Sequence, residues 1–578
     1  MEPRLAEASR RLLPAAWLKP LLPLDPLVRL YEDVRQKRRP LFESVLEELG
    51  IAIECEQADL ERIPKNGAVV VVANHPYGLL EGPVLGHLLM KRRADVRFLA
   101  NSLLSAVPEL EPYLIPVDPF GGSSATRANL APLRRALEWL KGGGLLVVFP
   151  AGEVSALRMG RWRVEDGSWN PAAARLIAAT GASAAPIFVH GANGAAFQVA
   201  GLVHPKLRTA LLPRQLLNKR GARIRVSIGH PIGAGRLRGL RPEDATAYLR
   251  QRTVALAWRQ CAPAWRQKAP RVEVATALRP ELVRGEIEAL GPDAVLAHSG
   301  EFEVYLAEAH QIPNGLHEIG RLRELTFRAA GEGTGKPIDL DRYDSYYQHL
   351  FLWNREKGEI AGAYRLAATD EVLRRKGMTG LYTASLFRLH AELFRRLGPA
   401  LELGRSFVRA EYQRSYQPLL LLWKGIGAYV ARRPQYRYLF GPVSISGDYA
   451  PAARQLMVAF LQRQCQEPKL KRFVRPRRGL LVWQCAGVRQ VAALLQTPED
   501  LSELVADLDV AGRPLPVLVR QYLNVGGRFL AFSVDPAFSG VVDGLVLVDL
   551  MRTNEKLLQR YLGPGGAARF LALHRAAG

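Results

Sequence analysis

Cysteine is scarce, with four residues in a chain of 578. Cys55, Cys261, Cys465 and Cys485 are scattered and form no C-x-x-C pair. That excludes a disulfide framework and a cysteine zinc site, and it fits a reducing compartment. The His and Cys spacings supply no metal-ligand pattern, so no metal is expected. No apolar run reaches the roughly 18 residues needed to cross a bilayer. The N-terminus lacks the short apolar core and small-residue cleavage site of a secretory signal. No nucleotide-binding fingerprint is present. "GEGTGK" (331–336) falls one residue short of phosphate-loop spacing, and Pro337 stands where that loop needs Ser or Thr. It reads instead as a flexible loop near an acyl donor.

Acidic residues are also short. There are 55 Asp and Glu against 79 Lys and Arg, a formal charge of +24. Such a field attracts polyanions, whether nucleic acid, an anionic membrane or an acidic protein. No nucleic-acid motif accompanies it. Near the N-terminus, "RRLLPAAWLKPLLPLDPLVRLYEDVRQKRR" mixes Leu, Trp17 and Val28 with flanking basic residues. It reads as an interfacial membrane anchor over residues 1–50, although Pro14, Pro20, Pro23 and Pro26 break any long helix.

The length predicts two domains. Short β-branched runs alternate with helical patterns, which indicates an α/β fold. "AVVVVA" (68–73), "LLVVF" (145–149), "AAPIFVHG" (184–191) and "RIRVSIG" (223–229) are the strands of a first domain over 51–270. A linker is expected over 271–300. A second domain over 301–578 carries "YQHLFLW" (347–353), "EIAGAYRLA" (359–367), "ALELGRSFV" (400–408) and "YLFGPVSIS" (438–446), with a tail from about 465 whose packing is open.

His75 lies where the first of these strands becomes a loop, and Glu81 follows it. A carboxylate holding one imidazole nitrogen leaves the other to take a proton from an alcohol. A structural histidine is the plainer alternative. In the second domain, Glu402 and Arg405 are three apart on one strand. Residues at odd spacing face opposite sides, so a bulge at Gly404, or roles on both faces, must be invoked. Arg365, Asp341 and Asp344 precede them. A buried ion-pair network is the plainer reading here.

Read together, "NHPYGLLEG" (74–82), "FPAGEVS" (149–155) and "APIFVHGANG" (185–194) resemble the first, third and fourth motifs of the glycerophosphate-type acyltransferases, in order. Three departures stand out. Five residues, not four, follow His75, and Glu81 replaces Asp. Glu153 sits two positions late in the third motif. "LIPVDPFGG" (114–122) offers no arginine where the second motif has a phosphate-binding one. These departures look like the haemolysin-like subgroup, which includes the O-acyltransferases of ornithine lipid synthesis. The resemblance implies acyl transfer to a lipid hydroxyl, with His75 and Glu81 catalytic. Asn74, Gly152, Glu153, Ser155 and Arg158 would bind the acceptor, although Ser155 also suits a helix cap.

In the second half, Arg323 and Phe327 in "RLRELTF", Asp341 and Asp344 in "DRYD", Arg365 in "AYRL" and Glu402 and Arg405 in "LELGR" are similar to the acyl-homoserine-lactone synthases and ornithine N-acyltransferases, which share the GNAT fold. "LLLLWKGIGAYV" (419–430) favours the latter. The resemblance implies an acyl-carrier-protein thioester as donor and an amino acid amine as acceptor, with Glu402 as base. Arg365 or Arg405 would hold the amino acid carboxylate, and Asp341 and Asp344 the distal amine of ornithine.

The two halves together resemble the bifunctional ornithine lipid synthases. That implies N-acylation of ornithine with a 3-hydroxyacyl chain, followed by O-acylation of the lyso-lipid. No bound cofactor is expected beyond the phosphopantetheine of acyl carrier protein, and the expected location is the cytoplasmic face of the inner membrane. Two alternatives stand beside this one. One is a single-activity enzyme with one degenerate half. The other is a non-enzymatic, haemolysin-like membrane-binding protein.

Overall fold

The computed structural model describes residues 24–37, 39–118, 128–158, 163–203, 205–260, 272–480, 487–509 and 511–576. Residues 1–23 of the expected anchor, including Pro14, Trp17, Pro20 and Pro23, lie outside these residues. So do Cys261, Cys485 and the end of "LIPVDPFGG". No described helix is long and apolar enough to cross a membrane. The chain forms two compact units, residues 1–260 and 261–578.

The first unit is built on a seven-stranded sheet. Its strands are β1 (Ala52–Glu54), β2 (Val69–Ala73), β3 (Val96–Asn101), β4 (Leu114–Val117), β5 (Leu145–Val148), β8 (Ser183–Val189) and β9 (Arg223–Ile228), in the order β1-β9-β8-β2-β5-β3-β4. A small hairpin, β6 (Ala156–Arg158) with β7 (Arg163–Glu165), stands apart. Strands β4, β3, β5, β2 and β8 run parallel, and β9 turns antiparallel to β8. The centre of a parallel sheet is covered on both faces, so its strands read as unbroken apolar runs. All five residues of β2 and all four of β5 are buried. The helix Leu130–Lys141 ends at Gly142, where the glycine triplet predicts it. Val72 of β2 stands level with Val148 of β5, so the two carboxyl ends finish side by side. The loops that follow them carry His75 and Phe149.

The second unit is a mixed eight-stranded sheet. Its strands are β10 (Val295–Ser299), β11 (Phe302–Glu308), β12 (Gln348–Asn354), β13 (Glu359–Ala368), β15 (Ala400–Val408), β16 (Tyr438–Ile445), β18 (Arg528–Asp535) and β19 (Val541–Asp549). Their order is β10-β11-β12-β13-β15-β16-β19-β18. A short pair, β14 (Phe387–Leu389) with β17 (Val474–Pro476), flanks it. Every neighbouring pair in the large sheet is antiparallel except β15 and β16. A parallel pair needs a crossover, and the helix Gln417–Arg432 supplies it.

One expectation is corrected here, and a packing left open by the sequence is resolved. The stretch 271–300 is not simply a linker, because it holds the helix Pro280–Glu288 and the edge strand β10. Val283 and Ile287 of that helix join a core with Phe351 and Ile360. The tail packs on the second sheet and supplies β18 and β19.

Candidate functional sites

In the first unit, Asn74 ends β2 by clipping it to β8. Its Nδ2 donates to the Val189 carbonyl at 2.9 Å, and its Oδ1 accepts the Val189 N–H at 2.7 Å. Both polar ends are thereby used on the backbone. The next residue, His75, stacks on Phe149 with centroids 4.5 Å apart. Its Nδ1 lies 3.4 Å from Glu81 Oε1.

Glu81 is fully buried and opens the helix Glu81–Met90. Its Oε1 accepts the N–H groups of Tyr77 at 2.5 Å and Gly78 at 3.1 Å. The extra residue between His75 and Glu81 is absorbed in this turn, where Gly78 takes a φ of 94°. Burial alone would raise the Glu81 pKa, but His75 and the Tyr77 N–H bring it below the usual range. Burial would lower His75, but the charges of Glu81 and Asp166 outweigh it and raise its pKa.

Asp166 is a hub that the sequence pattern did not flag. Its Oδ1 accepts the His75 N–H at 3.2 Å and the Ser155 hydroxyl at 2.5 Å, and its Oδ2 accepts Trp169 Nε1–H at 3.0 Å. Ser155 is therefore neither a helix cap nor an open lining residue. It is buried, and its N–H returns to the His75 carbonyl at 2.9 Å. Gly152 takes a φ of 65° in the turn after β5. Glu153 is exposed and bridges Arg158 at 2.9 Å and Arg208 at 2.7 Å. Beside this hub an open cleft of about 500 Å³ is lined by Arg158, Glu165, Asp166, Gly167, Ser168 and Arg250.

In the second unit, β15 carries a bulge. Ala363 of β13 pairs with Phe407, yet Arg365 pairs with Gly404, so two steps on β13 face three on β15. Arg405 takes the strain, with a φ of 50° in the left-handed region that non-glycine residues avoid. The bulge lets Glu402 and Arg405 serve one cluster. Arg405 lies over the Tyr382 ring at 4.9 Å, while Glu402 accepts the Tyr382 N–H at 3.3 Å.

That cluster is dense in charge. Arg323 donates to Asp344 at 2.8 Å, and Arg365 donates to Asp341 at 2.7 Å and lies 3.1 Å from Asp344. Arg405 lies 3.4 Å from Asp341 and 3.5 Å from Asp339. Burial works against the Asp344 carboxylate, but Arg323 and Arg365 hold it well below the usual range. The side chains of Arg323 and Arg365 are 0% and 1% exposed, and the Nε and one Nη of each have no hydrogen-bond partner. Buried donors left unmade cost about 1–3 kcal/mol each, so this arrangement favours an anion.

Glu402 is 1% exposed and accepts the Tyr347 hydroxyl and the Thr383 N–H, the latter at 2.7 Å. Burial raises its pKa, and hydrogen bonds from Tyr347 and Thr383 hold it back only in part. Phe327 stands behind the cluster, edge-on to Phe538 at 5.4 Å, and Phe538 in turn lies under Arg405.

The structure thus gathers Arg323, Asp341, Asp344, Arg365, Glu402 and Arg405, and leaves Phe327 one layer back. Asp341 and Asp344 are already paired with arginines, which corrects the expectation that they hold a distal amine. Tyr343, Tyr347 and Tyr382, whose rings flank Arg365 at 5.1–5.6 Å, were missed. The tyrosine density of "DRYDSYYQ" (341–348) was the available signal for Tyr343 and Tyr347, and Tyr382 had none.

The loop "GEGTGK" is held, not loose. The buried Glu324 carboxylate accepts the Thr334 hydroxyl and the N–H groups of Thr334 and Gly335 at 2.6–3.0 Å. Beside the cluster the sheet splits. Strands β15 and β16 pair only from Ala400–Tyr438 to Glu402–Phe440, although β15 runs on to Val408 and β16 to Ile445. A Cβ at Gly441 would stand 1.9 Å from the Leu403 carbonyl oxygen, so glycine is required where the split begins.

Comparison with known proteins matches the two halves of the chain to two different families. Residues 29–257 match a family described as acyltransferase, and residues 322–424 match the acetyltransferase (GNAT) domain. The glycine N(alpha)-acyltransferase of Phocaeicola vulgatus is 30% identical over 292 residues, 48% of this chain and 88% of that one. Its counterpart in Bacteroides thetaiotaomicron is 31% identical over 260 residues, 43% of this chain and 77% of that one. The lyso-glycine lipid O-acyltransferase of Phocaeicola vulgatus is 27% identical over 225 residues, 38% of this chain and 77% of that one. The chain belongs to this family of lipid-related acyltransferases, and it is an acyltransferase in which a glycerophosphate-type domain precedes a GNAT domain.

Proposed function

We propose that the chain builds a two-chain amino acid lipid in two steps. The second unit joins a 3-hydroxyacyl chain, delivered as an acyl-carrier-protein thioester, to the α-amine of an amino acid. The first unit then esterifies the new 3-hydroxyl. The observation that carries this reading is the pairing of two different acid–base sets on one chain. His75 held by Glu81 suits an alcohol. Glu402 beside arginines with unspent buried donors suits an amine that carries a carboxylate.

In the first step the Glu402 carboxylate takes the ammonium proton, directly or through water. The freed amine attacks the thioester carbonyl, and the thiol leaves. Arg365 and Arg405 hold the acceptor carboxylate. The split between β15 and β16 leaves backbone amides without a ladder partner on their facing edges, which suits the amide-bearing pantetheine arm of the donor. In the second step His75 takes the hydroxyl proton as the alkoxide attacks the second thioester, and returns it to the leaving thiol. The net charge of +24 favours an acidic carrier protein and an anionic membrane surface, with the protein peripheral to the cytoplasmic face of the membrane.

The amino acid we favour is small and has no charged side chain, glycine being the example set by the relatives. Ornithine, the expectation from the sequence, needs an acid for its distal amine, and Asp341 and Asp344 are already engaged. One observation keeps ornithine as the second reading. Asp543 is buried, with its carboxyl pushed to about 7 by burial and Asp535, against the Ser444 hydrogen bond and Arg405. An amine beside it would relieve that cost.

Lipid mass spectrometry of a bacterium lacking aminolipids, with and without the gene, tests the proposal. A two-chain lipid with a glycine fragment is expected, and an ornithine fragment selects the second reading. A one-chain N-acyl amino acid means that the first unit is degenerate. No new lipid from well-expressed protein overturns the proposal.

A further inference from the structure

The second motif of the first unit offers no arginine for an acceptor anion, yet the fold places two elsewhere. Arg158 lies at the end of β6, and Arg250 lies on the helix Pro242–Ala255, outside all the family-like motifs. Both line the open cleft beside His75. Tyr248, Leu249, Arg252 and Thr253 of that helix are buried, which fixes the direction in which Arg250 leaves it.

We propose that Arg250 and Arg158 form a carboxylate-binding pocket for the acceptor of the first unit, and that the ligand is the free α-carboxylate of an N-acyl amino acid. This inference rests on the O-acylation reading above.

Three observations converge on it. Arg250 spends one Nη on the Asp166 carbonyl at 3.1 Å, while its occluded Nε–H has no hydrogen-bond partner. A guanidinium anchored on one side presents the rest of its fork in a fixed direction, which suits a planar carboxylate. Secondly, Glu153 is shared between Arg158 and Arg208, so one carboxylate meets two guanidinium charges. With Arg250 added, two guanidinium groups line the cleft itself. The acidic residues of the lining are Glu165 and Asp166, and the Asp166 carboxylate is committed to Ser155 and Trp169. Thirdly, the floor of the cleft is built for this pair. A Cβ at Gly167 would stand 2.4 Å from Glu153 Oε1 and 2.8 Å from Arg158 Nη2.

Asp166 lines the cleft and binds the His75 N–H at 3.2 Å, so the pocket and the base share one support. In a 3-hydroxyacyl amino acid, one amide and two short links separate the hydroxyl from the carboxylate. That is roughly 7 Å when extended, given about 3.8 Å across a trans amide. The carboxylate therefore replaces the phosphate of a glycerolipid acceptor, and its pocket has moved from the second motif to a helix late in the unit.

The experiment uses the full-length protein with an acyl thioester donor and two acceptors, N-(3-hydroxyhexadecanoyl)glycine and its methyl ester. The native protein is expected to prefer the acid by roughly tenfold to a hundredfold in kcat/KM, the range of a charge-assisted hydrogen bond. Arg250→Gln should collapse that preference toward one, mainly through the KM of the acid. Arg250→Lys should restore part of it. Arg158→Gln, at a more exposed position, gives the same readout if Arg250→Gln fails to fold. A preference that survives both glutamine variants overturns the pocket, as does a native protein that uses acid and ester equally well. A native protein that acylates neither acceptor overturns the O-acylation reading itself, which is a separate outcome.

Discussion

The two units solve neighbouring chemical problems with opposite electrostatics. The first surrounds one imidazole with a single ion pair, an aromatic ring and backbone hydrogen bonds. The second gathers three arginines and three aspartates, most of them buried, around its acid. The nucleophiles explain the contrast. The group that reacts in the first site is a neutral alcohol, so at the reacting atom that site needs one base and no charge cluster. An amino acid arrives as a zwitterion, so the second must bind a carboxylate and strip a proton from a cation in the same small volume. The cost of burying those charges is repaid only by pairing and by the ligand.

The sharpest way to break this comparison is to remove the base of the first unit. His75→Ala should lower O-acylation by about a hundredfold to ten-thousandfold, the usual worth of a positioned general base. N-acylation should continue, so the one-chain lipid accumulates and mass spectrometry reads it directly. Loss of both products together would mean that the units do not work separately.

The next effect belongs to the second unit. Arg365 contacts Asp341 and Asp344 within 3.1 Å and is flanked by three tyrosine rings. Arg365→Met leaves Asp344 to Arg323 and Asp341 to Arg405, and the lost charge-assisted hydrogen bond should destabilise the fold by about 1.5–3 kcal/mol. Thermal unfolding reads that loss. Arg365→Lys keeps the charge but loses the fork. It should therefore unfold closer to the native temperature while the KM for the amino acid rises.

These sites differ too in how far the sequence disclosed them. Strands β2 and β5 were legible because a doubly covered parallel strand must be apolar throughout, and the loops after them carry the motifs. The bulge in β15 was legible as a contradiction, since Glu402 and Arg405 cannot share a face of a regular strand. Strands β3, β10 and β11, at or next to the sheet edges, were not, because their exposed sides mix polar and charged residues into the pattern. Asp166 and Arg250 had no local signal. Each acts through contacts with residues 84 or more positions away, and only the fold brings those together. The pairing of Asp341 and Asp344 with arginines was hidden for the same reason.

Two smaller experiments sharpen the contrast through pH. In the first unit, Glu81 is a main cause of the raised His75 pKa. Glu81→Gln keeps an oxygen to accept the Tyr77 and Gly78 N–H groups but removes the charge. The His75 pKa should fall, and since the base form is the active one, the acid limb of O-acylation should move to lower pH. Its plateau should drop as well, because a weaker base drives the transfer less.

In the second unit the same logic runs in the other direction. Burial raises the Glu402 pKa, and the Tyr347 hydroxyl is the leading group that opposes this by donating to the carboxylate. Tyr347→Phe removes that donor and leaves the burial. The Glu402 pKa should rise further, and the acid limb of N-acylation should move to higher pH by about one unit, within the worth of a hydrogen bond to a charged group. The acceptor amine titrates identically in native and variant protein, so the difference between the two profiles belongs to the enzyme. A limb that stays in place would mean that Glu402 holds Tyr347, Tyr382 and Thr383 in position and that another group takes the proton. Asp543, on the strand beside β16 and already pushed to about 7, would then be the next acid to replace.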